Sequence, residues 1–412
     1  VSEVVLINVS GRDKPGLTSE ITGIMGRYQV RILDIGQAVI HDHLTWGILA
    51  QIPDGAESSP VIRDLLFHLH SLDLQVRFAP ISDQDYDKWA EGRNRACYIV
   101  TLLSRDMTAE QIARVSGITA RHGLNIDNIT RLSARPALQP SSSGIACVEF
   151  SVRGTPENLD LLRKDFLNLA GELNVDVAFQ EDSIFRRNRR LVVFDMDSTL
   201  IEAEVIDELA RVAGVGPQVA EITERAMRGE LDFSQSFAER LSLLKGLDES
   251  VLEEIANSLR LTEGAERLIG TLKALGYRTA ILSGGFTYFA RFLQKRLGID
   301  YVHANELQIA DGKVTGQVSG VVVDGRRKAE LLLEIAAREN VSREQVIAVG
   351  DGANDLPMLS QAGLGVAFRA KPLVKESAKH AISTLGLDAV LYLLGYRESD
   401  SRLAAGASET RP

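Results

Sequence analysis

Cysteine is nearly missing from this 412-residue chain, where only Cys97 and Cys147 occur. Two cysteines without paired spacing build neither a disulfide framework nor a zinc site, so both are excluded and a reducing compartment, the cytoplasm, is expected. Long apolar runs are absent too. No stretch of about 18 apolar residues is present, and the N-terminal residues show no basic segment followed by an apolar stretch and a cleavage site. The chain is read as soluble, unsecreted and without a membrane role. Positive charge is in deficit: 46 Lys and Arg stand against 56 Asp and Glu, a formal charge of −10. Phosphate backbones are bound by a cationic excess, so nucleic acid is not an expected partner.

What is present describes a globular protein of several domains, with 45% hydrophobic and 25% charged residues. An apolar strand from Val4 to Val9 leads through a Gly/Pro turn into a helix from Leu17 to Tyr28. Strands from Val30 to Ile40 and Leu44 to Ile52 follow, then an amphipathic helix from Pro60 to Leu72. The order is that of a ferredoxin-like β-α-β-β-α-β unit ending near Ile81. Asp83 to Arg95, charged and poor in aliphatics, reads as a linker. The pattern then restarts, with strands at Cys97 to Leu103, Ile126 to Ala134 and Gly144 to Val152, and helices at Thr108 to Arg121 and Leu159 to Leu173. Arg12-Asp13 against Arg105-Asp106 supports a duplication. Arg135 to Ser143 reads as a mobile loop, arginine-rich Glu181 to Arg190 as a second linker, and the residues after Tyr396 as a frayed tail.

From Leu191 short apolar strands alternate with helices, as a doubly covered parallel sheet requires. The expected division is 1–82, 95–180 and 190–396, with a helical insertion at about 205–262 and a flexible tail at 397–412. Phe194-Asp195-Met196-Asp197-Ser198-Thr199 directly follows the first of these strands, and the two-residue spacing can aim both carboxylates at one crevice. Such a pair repels unless a proton or cation relieves it, and a hard divalent ion is the simplest relief. Leu282-Ser283-Gly284-Gly285 closes a second strand, Lys328 opens a later helix, and Gly350-Asp351-Gly352-Ala353-Asn354-Asp355 closes another strand.

In that order the four blocks resemble the signatures of haloacid dehalogenase-like phosphatases. The resemblance implies a Rossmann-like parallel α/β sheet with a helical cap, and phosphoryl transfer through an aspartyl-phosphate. On it Asp195 is the expected nucleophile and Asp197 the group that protonates the leaving oxygen and then deprotonates water. Mg²⁺ is expected on Asp195, the backbone carbonyl of Asp197 and Asp351, with Asp355 supporting them. Ser283, Gly284, Gly285, Lys328 and Asn354 are expected to bind substrate at its phosphate. Met196 stands where Phe is commoner, and is expected to be a spacer turned away from the site.

A narrower resemblance, to phosphoserine phosphatases, rests on the inserted helices. Glu204, nine residues after Asp195, matches a carboxylate that faces the substrate ammonium. Arg240 matches an arginine that pairs with the substrate carboxylate, and Phe233 is expected to close the pocket. The implied reaction is hydrolysis of O-phospho-L-serine to L-serine and phosphate, the last step of serine biosynthesis. A phosphotransferase or protein phosphatase of the same superfamily, or a regulatory amino-acid-binding protein, are the alternatives. The two N-terminal α+β units resemble ACT domains, which implies a homodimer and feedback by L-serine. Asp13 and Gly16, in the loop Gly11 to Leu17, are the expected effector contacts. The second copy reads Arg105-Asp106-Met107-Thr108-Ala109 and lacks the Pro-Gly pair, so effector binding is expected at the first copy.

Overall fold

Val5, Ile7 and Val9 are buried along the strand Glu3–Arg12, with Leu6 and Asn8 less covered between them, the alternation of a sheet packed mainly on one face. The computed structural model describes residues 3–53, 58–92, 95–135 and 144–401. It divides into two compact units, Val1–Arg95 and Ala96–Pro412. In the first, four antiparallel strands lie in the order Arg31–Ile40, His43–Ile52, Glu3–Arg12, Gln75–Ile81. The helices Leu17–Arg27 and Ser58–Ser71 bring Ile21, Met25, Leu65 and Leu69 to a core around Trp46.

The expected linker after this sheet is instead a helix, Asp83–Gly92. Ser82 accepts the Asp85 N–H at 3.1 Å, and Asp83 and Asp85 suit the positive end of the helix. Tyr86 and Trp89 line a cavity of about 370 Å³ with Leu6, Ile35 and Leu49. Two aromatic residues supply the apolar surface that a count of aliphatics overlooked.

In the second unit a four-stranded sheet has the order Leu124–Arg131, Ala146–Gly154, Cys97–Ser104, Asp176–Glu181; the last strand completes the β-α-β-β-α-β order, of which the sequence located the other five elements. Helices Ala109–Arg121 and Leu159–Leu173 cover one face through Val115, Ile118, Leu162 and Phe166. Leu103, Cys147 and Ala178, on the other face, enter the core of the large domain. The predicted linker Glu181 to Arg190 is likewise packed rather than free. Arg186 is buried against Glu149, Arg189 donates to the Glu344 carbonyl, and Gln180 donates to the Leu393 carbonyl at 3.0 Å. Polar composition misleads here because the charges are used inside an interface.

The start of the expected tail is also anchored. Glu398 donates its N–H to the Leu132 carbonyl at 3.0 Å and accepts from Arg267 at 2.7 Å and Tyr392 at 2.6 Å. The rest of that tail, and most of the expected loop Arg135 to Ser143, lie outside the described residues.

The large sheet has seven strands in the order Lys313–Ser319, Tyr301–Ala310, Arg278–Phe286, Leu191–Phe194, Val346–Gly350, Leu364–Phe368, His380–Ile382. All neighbours are parallel except the first pair. Leu191–Phe194 is central and buried throughout. Helices Val205–Val212, Gly216–Met227, Phe233–Ser242 and Ser250–Ser258, followed by Ala265–Ala274, occupy the stretch between it and the next strand. No helix among the described residues is long and apolar enough to cross a membrane.

Candidate active site

Three neighbouring parallel strands end at one edge and carry the polar blocks there. Leu191–Phe194 delivers Asp195 and Asp197, its neighbour Arg278–Phe286 carries Ser283 to Gly285, and Val346–Gly350 on the other side delivers Asp351. Adjacent strands with a common direction must bring their carboxyl ends together. Carboxylate oxygens of Asp195, Asp351 and Asp355 lie within 4.8 Å of one another.

One cation sits among these acids. Lys328, fully buried on the helix Gly325–Arg338, reaches Asp195 at 2.8 Å and Asp355 at 2.7 Å. Burial alone would lower its pKa, but the two carboxylates outweigh that and hold it charged, above the usual lysine range. Asp195 is pushed well above the carboxylate range, first by burial and then by Asp355, against the pull of Lys328. Asp351 is pushed up to about 7 by burial and by Asp355 and Glu204. Three acids around one lysine leave negative charge uncompensated, and an all-oxygen donor set of this kind fits a hard divalent cation.

Asp197 stands apart from the triad. Its Oδ1 accepts the Val205 N–H at 3.1 Å, at the start of the first cap helix. Burial and the Glu204 charge raise its pKa. The turn that carries it is tight: Leu200 donates to the Met196 carbonyl at 2.9 Å, and Ser198 takes a left-handed φ of 54°. A Cβ at Gly285 would lie 2.5 Å from Asp197 Oδ2 and 2.9 Å from Met196 Cε, so a larger residue there would push the Asp197 carboxylate and the Met196 methyl aside. Met196, expected to turn away, is buried with its methyl beneath this glycine.

The Gly285 N–H donates to Ser283 Oγ at 2.9 Å, leaving the Ser283 hydroxyl hydrogen to point elsewhere. Phe233, stacked on Phe237 with centroids 5.9 Å apart, covers Gly284, where a Cβ would lie 3.1 Å from its ring. Asn354 turns its side chain toward Gly352, and its carbonyl abuts Gly325 at the head of the Lys328 helix.

The cap contributes opposite charges. Glu204 accepts from the Ser198 hydroxyl at 2.7 Å, and burial raises its pKa. Arg240 donates to the Ser236 carbonyl at 3.3 Å. Burial lowers its pKa, opposed by Asp207, Glu204 and Asp197. Arg240 makes no ion pair among the described residues, so its partly buried guanidinium keeps donors that can take up a carboxylate.

Residues 189–363 match the haloacid dehalogenase-like hydrolase family, and 3–79 and 96–180 each match an ACT domain family. A phosphoserine phosphatase of Streptomyces coelicolor is 42% identical over 97% of this chain and 94% of its own length. The chain belongs to the phosphoserine phosphatase family. Phosphoserine phosphatase SerB2 of Mycobacterium tuberculosis is 39% identical over 97% of this chain and 95% of its own. The crystal structure of a probable phosphoserine phosphatase from Vibrio cholerae superposes with a TM-score of 0.58 at 36% identity, covering 77% of this chain and 90% of that one.

Two residues that were given no role in the sequence also hold the site, one inside the first signature block and one outside all four. Thr199 donates to Asp351 at 3.0 Å, two positions beyond Asp197 in the same block. Asn305, 2% exposed, donates to the Gly284 carbonyl at 2.8 Å and accepts the Val323 N–H at 2.8 Å. Nothing in the sequence singles out that asparagine.

The two ACT loops differ. Gly16 begins its helix at φ 96° without a side-chain cap, and Asp13 is exposed. In the second copy Thr108 and Gln111 close a capping box on the corresponding helix. The N–H groups of Thr108 and Gln111 are therefore already engaged.

Proposed function

We propose that this chain hydrolyses O-phospho-L-serine to L-serine and phosphate, in a cytoplasmic setting. The observation that carries the reading is the placement of Asp195 on Lys328, with Asp351 and Asp355 beside it and Asp197 two residues on. Asp195 attacks phosphorus and displaces the serine oxygen, which takes a proton from Asp197; the raised pKa of Asp197 favours that protonated start. Asp197 then accepts a proton from the water that attacks the aspartyl-phosphate, releasing phosphate and restoring Asp195. Ser283, the Gly284 and Gly285 backbone and Lys328 hold the transferred phosphoryl group, with Asn354 at its margin.

Asp195, the backbone carbonyl of Asp197 and Asp351 are the residues that would hold Mg²⁺, with Asp355 behind them. The ion would supply positive charge for the phosphoryl oxygens and the crowded carboxylates. Glu204 meets the substrate ammonium, Arg240 its carboxylate, and Phe233 closes the pocket. L-serine acts as feedback effector at the first ACT loop, through Asp13 and the helix start at Gly16. The chain forms a homodimer through its ACT sheets, a reading supported by the open edge strand Arg31–Ile40, where Ile35 and Ile40 are exposed.

The test is phosphate release from O-phospho-L-serine, O-phosphothreonine and a small sugar phosphate. Asp195→Asn is expected to abolish turnover on all of them, and Arg240→Ala chiefly to erase the preference for phosphoserine. A sugar phosphate turned over best by the parent would overturn the substrate assignment and leave the mechanism standing.

A further inference from the structure

The cap joins the sheet domain through two backbone segments that hold each other. Glu202 donates to the Arg260 carbonyl at 3.0 Å and Thr262 to the Leu200 carbonyl at 2.9 Å, while Ile201 and Leu261 form an antiparallel bridge. Motion of the cap over the site must turn about this neck. Glu263 is the first residue on its fixed side. Its carbonyl accepts the Leu387 N–H at 2.7 Å. Gly264 follows at φ 79°, so close to Asp388 that a Cβ would lie 2.7 Å from its backbone nitrogen.

Two guanidinium groups converge on the Glu263 carboxylate: Arg105 of the second ACT unit at 2.6 Å, and Arg369 at 3.1 Å. Arg369 stands just past the strand Leu364–Phe368 at φ 45°, a left-handed conformation that costs a non-glycine residue energy and needs support. The same arginines donate to the carbonyls of Thr384 at 3.4 Å and Leu385 at 3.2 Å. The second ACT unit grips this loop again through buried Asp176. That carboxylate accepts the Ser383 N–H at 2.7 Å, the Thr384 N–H at 3.1 Å and the Thr384 hydroxyl at 2.7 Å. Arg105 lies in the counterpart of the first unit's effector loop, and here the helix start is self-capped and the arginine is spent on the neck.

We propose that Arg105 is a positioning residue for the cap: through Glu263 it fixes the return neck, so that the second ACT unit is the mount on which the cap turns rather than a second ligand sensor. Only the kinetic half of the test rests on the phosphoserine reading. Hydrogen–deuterium exchange of the full chain without substrate reads the neck directly, in peptides covering 198–204 and 258–266. Arg105→Gln is expected to speed exchange there about two- to fivefold, the scale of one partly exposed ion pair, and Arg105→Lys to recover most of it. Peptides of the first unit should not change.

In turnover, Arg105→Gln is expected to raise KM for O-phospho-L-serine, whose charged ends need the closed cap. Values for p-nitrophenyl phosphate, which has neither end, should stay within about twofold. Neck exchange equal to the parent's, or equal losses on both substrates, overturns the proposal. A parent chain that hydrolyses the aryl phosphate and not phosphoserine defeats the substrate assignment instead, and the exchange result still decides the role of Arg105.

Discussion

Asn305 ties the carbonyl of Gly284 at 2.8 Å. Because the same side chain also accepts the Val323 N–H, it joins the glycine turn at the end of one strand to the segment that leads into the Lys328 helix. Asn305→Ala leaves both backbone groups without their partner, at about 1–3 kcal/mol for each buried group. A displaced turn is expected to lower kcat/KM about a hundredfold. Asn305→Asp keeps the acceptor for Val323 and loses the donor for Gly284. Parent-like activity in Asn305→Asp would show that the Gly284 bond is dispensable.

Lys328 neutralises two buried carboxylates, and its removal strands them. Lys328→Met is expected to lower stability by about 3–5 kcal/mol in metal-free buffer. Chemical denaturation of parent and variant checks this, and a loss under 1 kcal/mol, about the size of a surface pair, contradicts the burial argument.

The acid triad predicts a metal-linked gain in stability. Mg²⁺ at about a hundred times its Kd should stabilise the parent by about 2.7 kcal/mol. Thermal unfolding with and without chelator measures it, and Asp351→Asn should abolish most of the shift. An equal shift in that variant would place the ion elsewhere.

Glu204→Gln keeps an acceptor for Ser198 and removes the charge. KM for O-phospho-L-serine is expected to rise about ten- to a hundredfold, with p-nitrophenyl phosphate little affected, because only the former brings an ammonium to this position. Matching losses on both substrates would assign Glu204 to the turn around Ser198 alone.

His380 gives a pH dependence away from the active site. It is 7% exposed, its Nδ1 has no hydrogen-bond partner among the described residues, and burial pulls its pKa down to about 3. Between pH 3 and 6.5 the unfolded chain therefore binds a proton that the folded chain refuses. The His380 contribution to stability is complete above about pH 6.5 and is lost at up to about 1.4 kcal/mol per pH unit as the pH falls below that. Denaturation midpoints from pH 7.5 to 5 should fall more steeply for the parent than for His380→Gln. Parallel curves would show that another group governs the decline.

The local sequence carried the acids and the glycine turn because each follows an apolar strand directly, and both ferredoxin-like patterns because their helices and strands have clean periods. The same signals failed where surface is buried by unusual means. Asp83–Gly92 lines a cavity with two aromatic residues, and Glu181 to Arg190 buries arginines against Glu149 and the Glu344 carbonyl.

By itself the sequence determined which chemical groups exist and in which order the strands present them. Only the tertiary structure decided that Thr199 holds Asp351, that Asn305 holds Gly284, and that Arg105 holds Glu263 across 158 positions of chain. Those pairs depend on packing between elements remote in sequence, and no local period or motif encodes which side chains such packing will bring within hydrogen-bond reach.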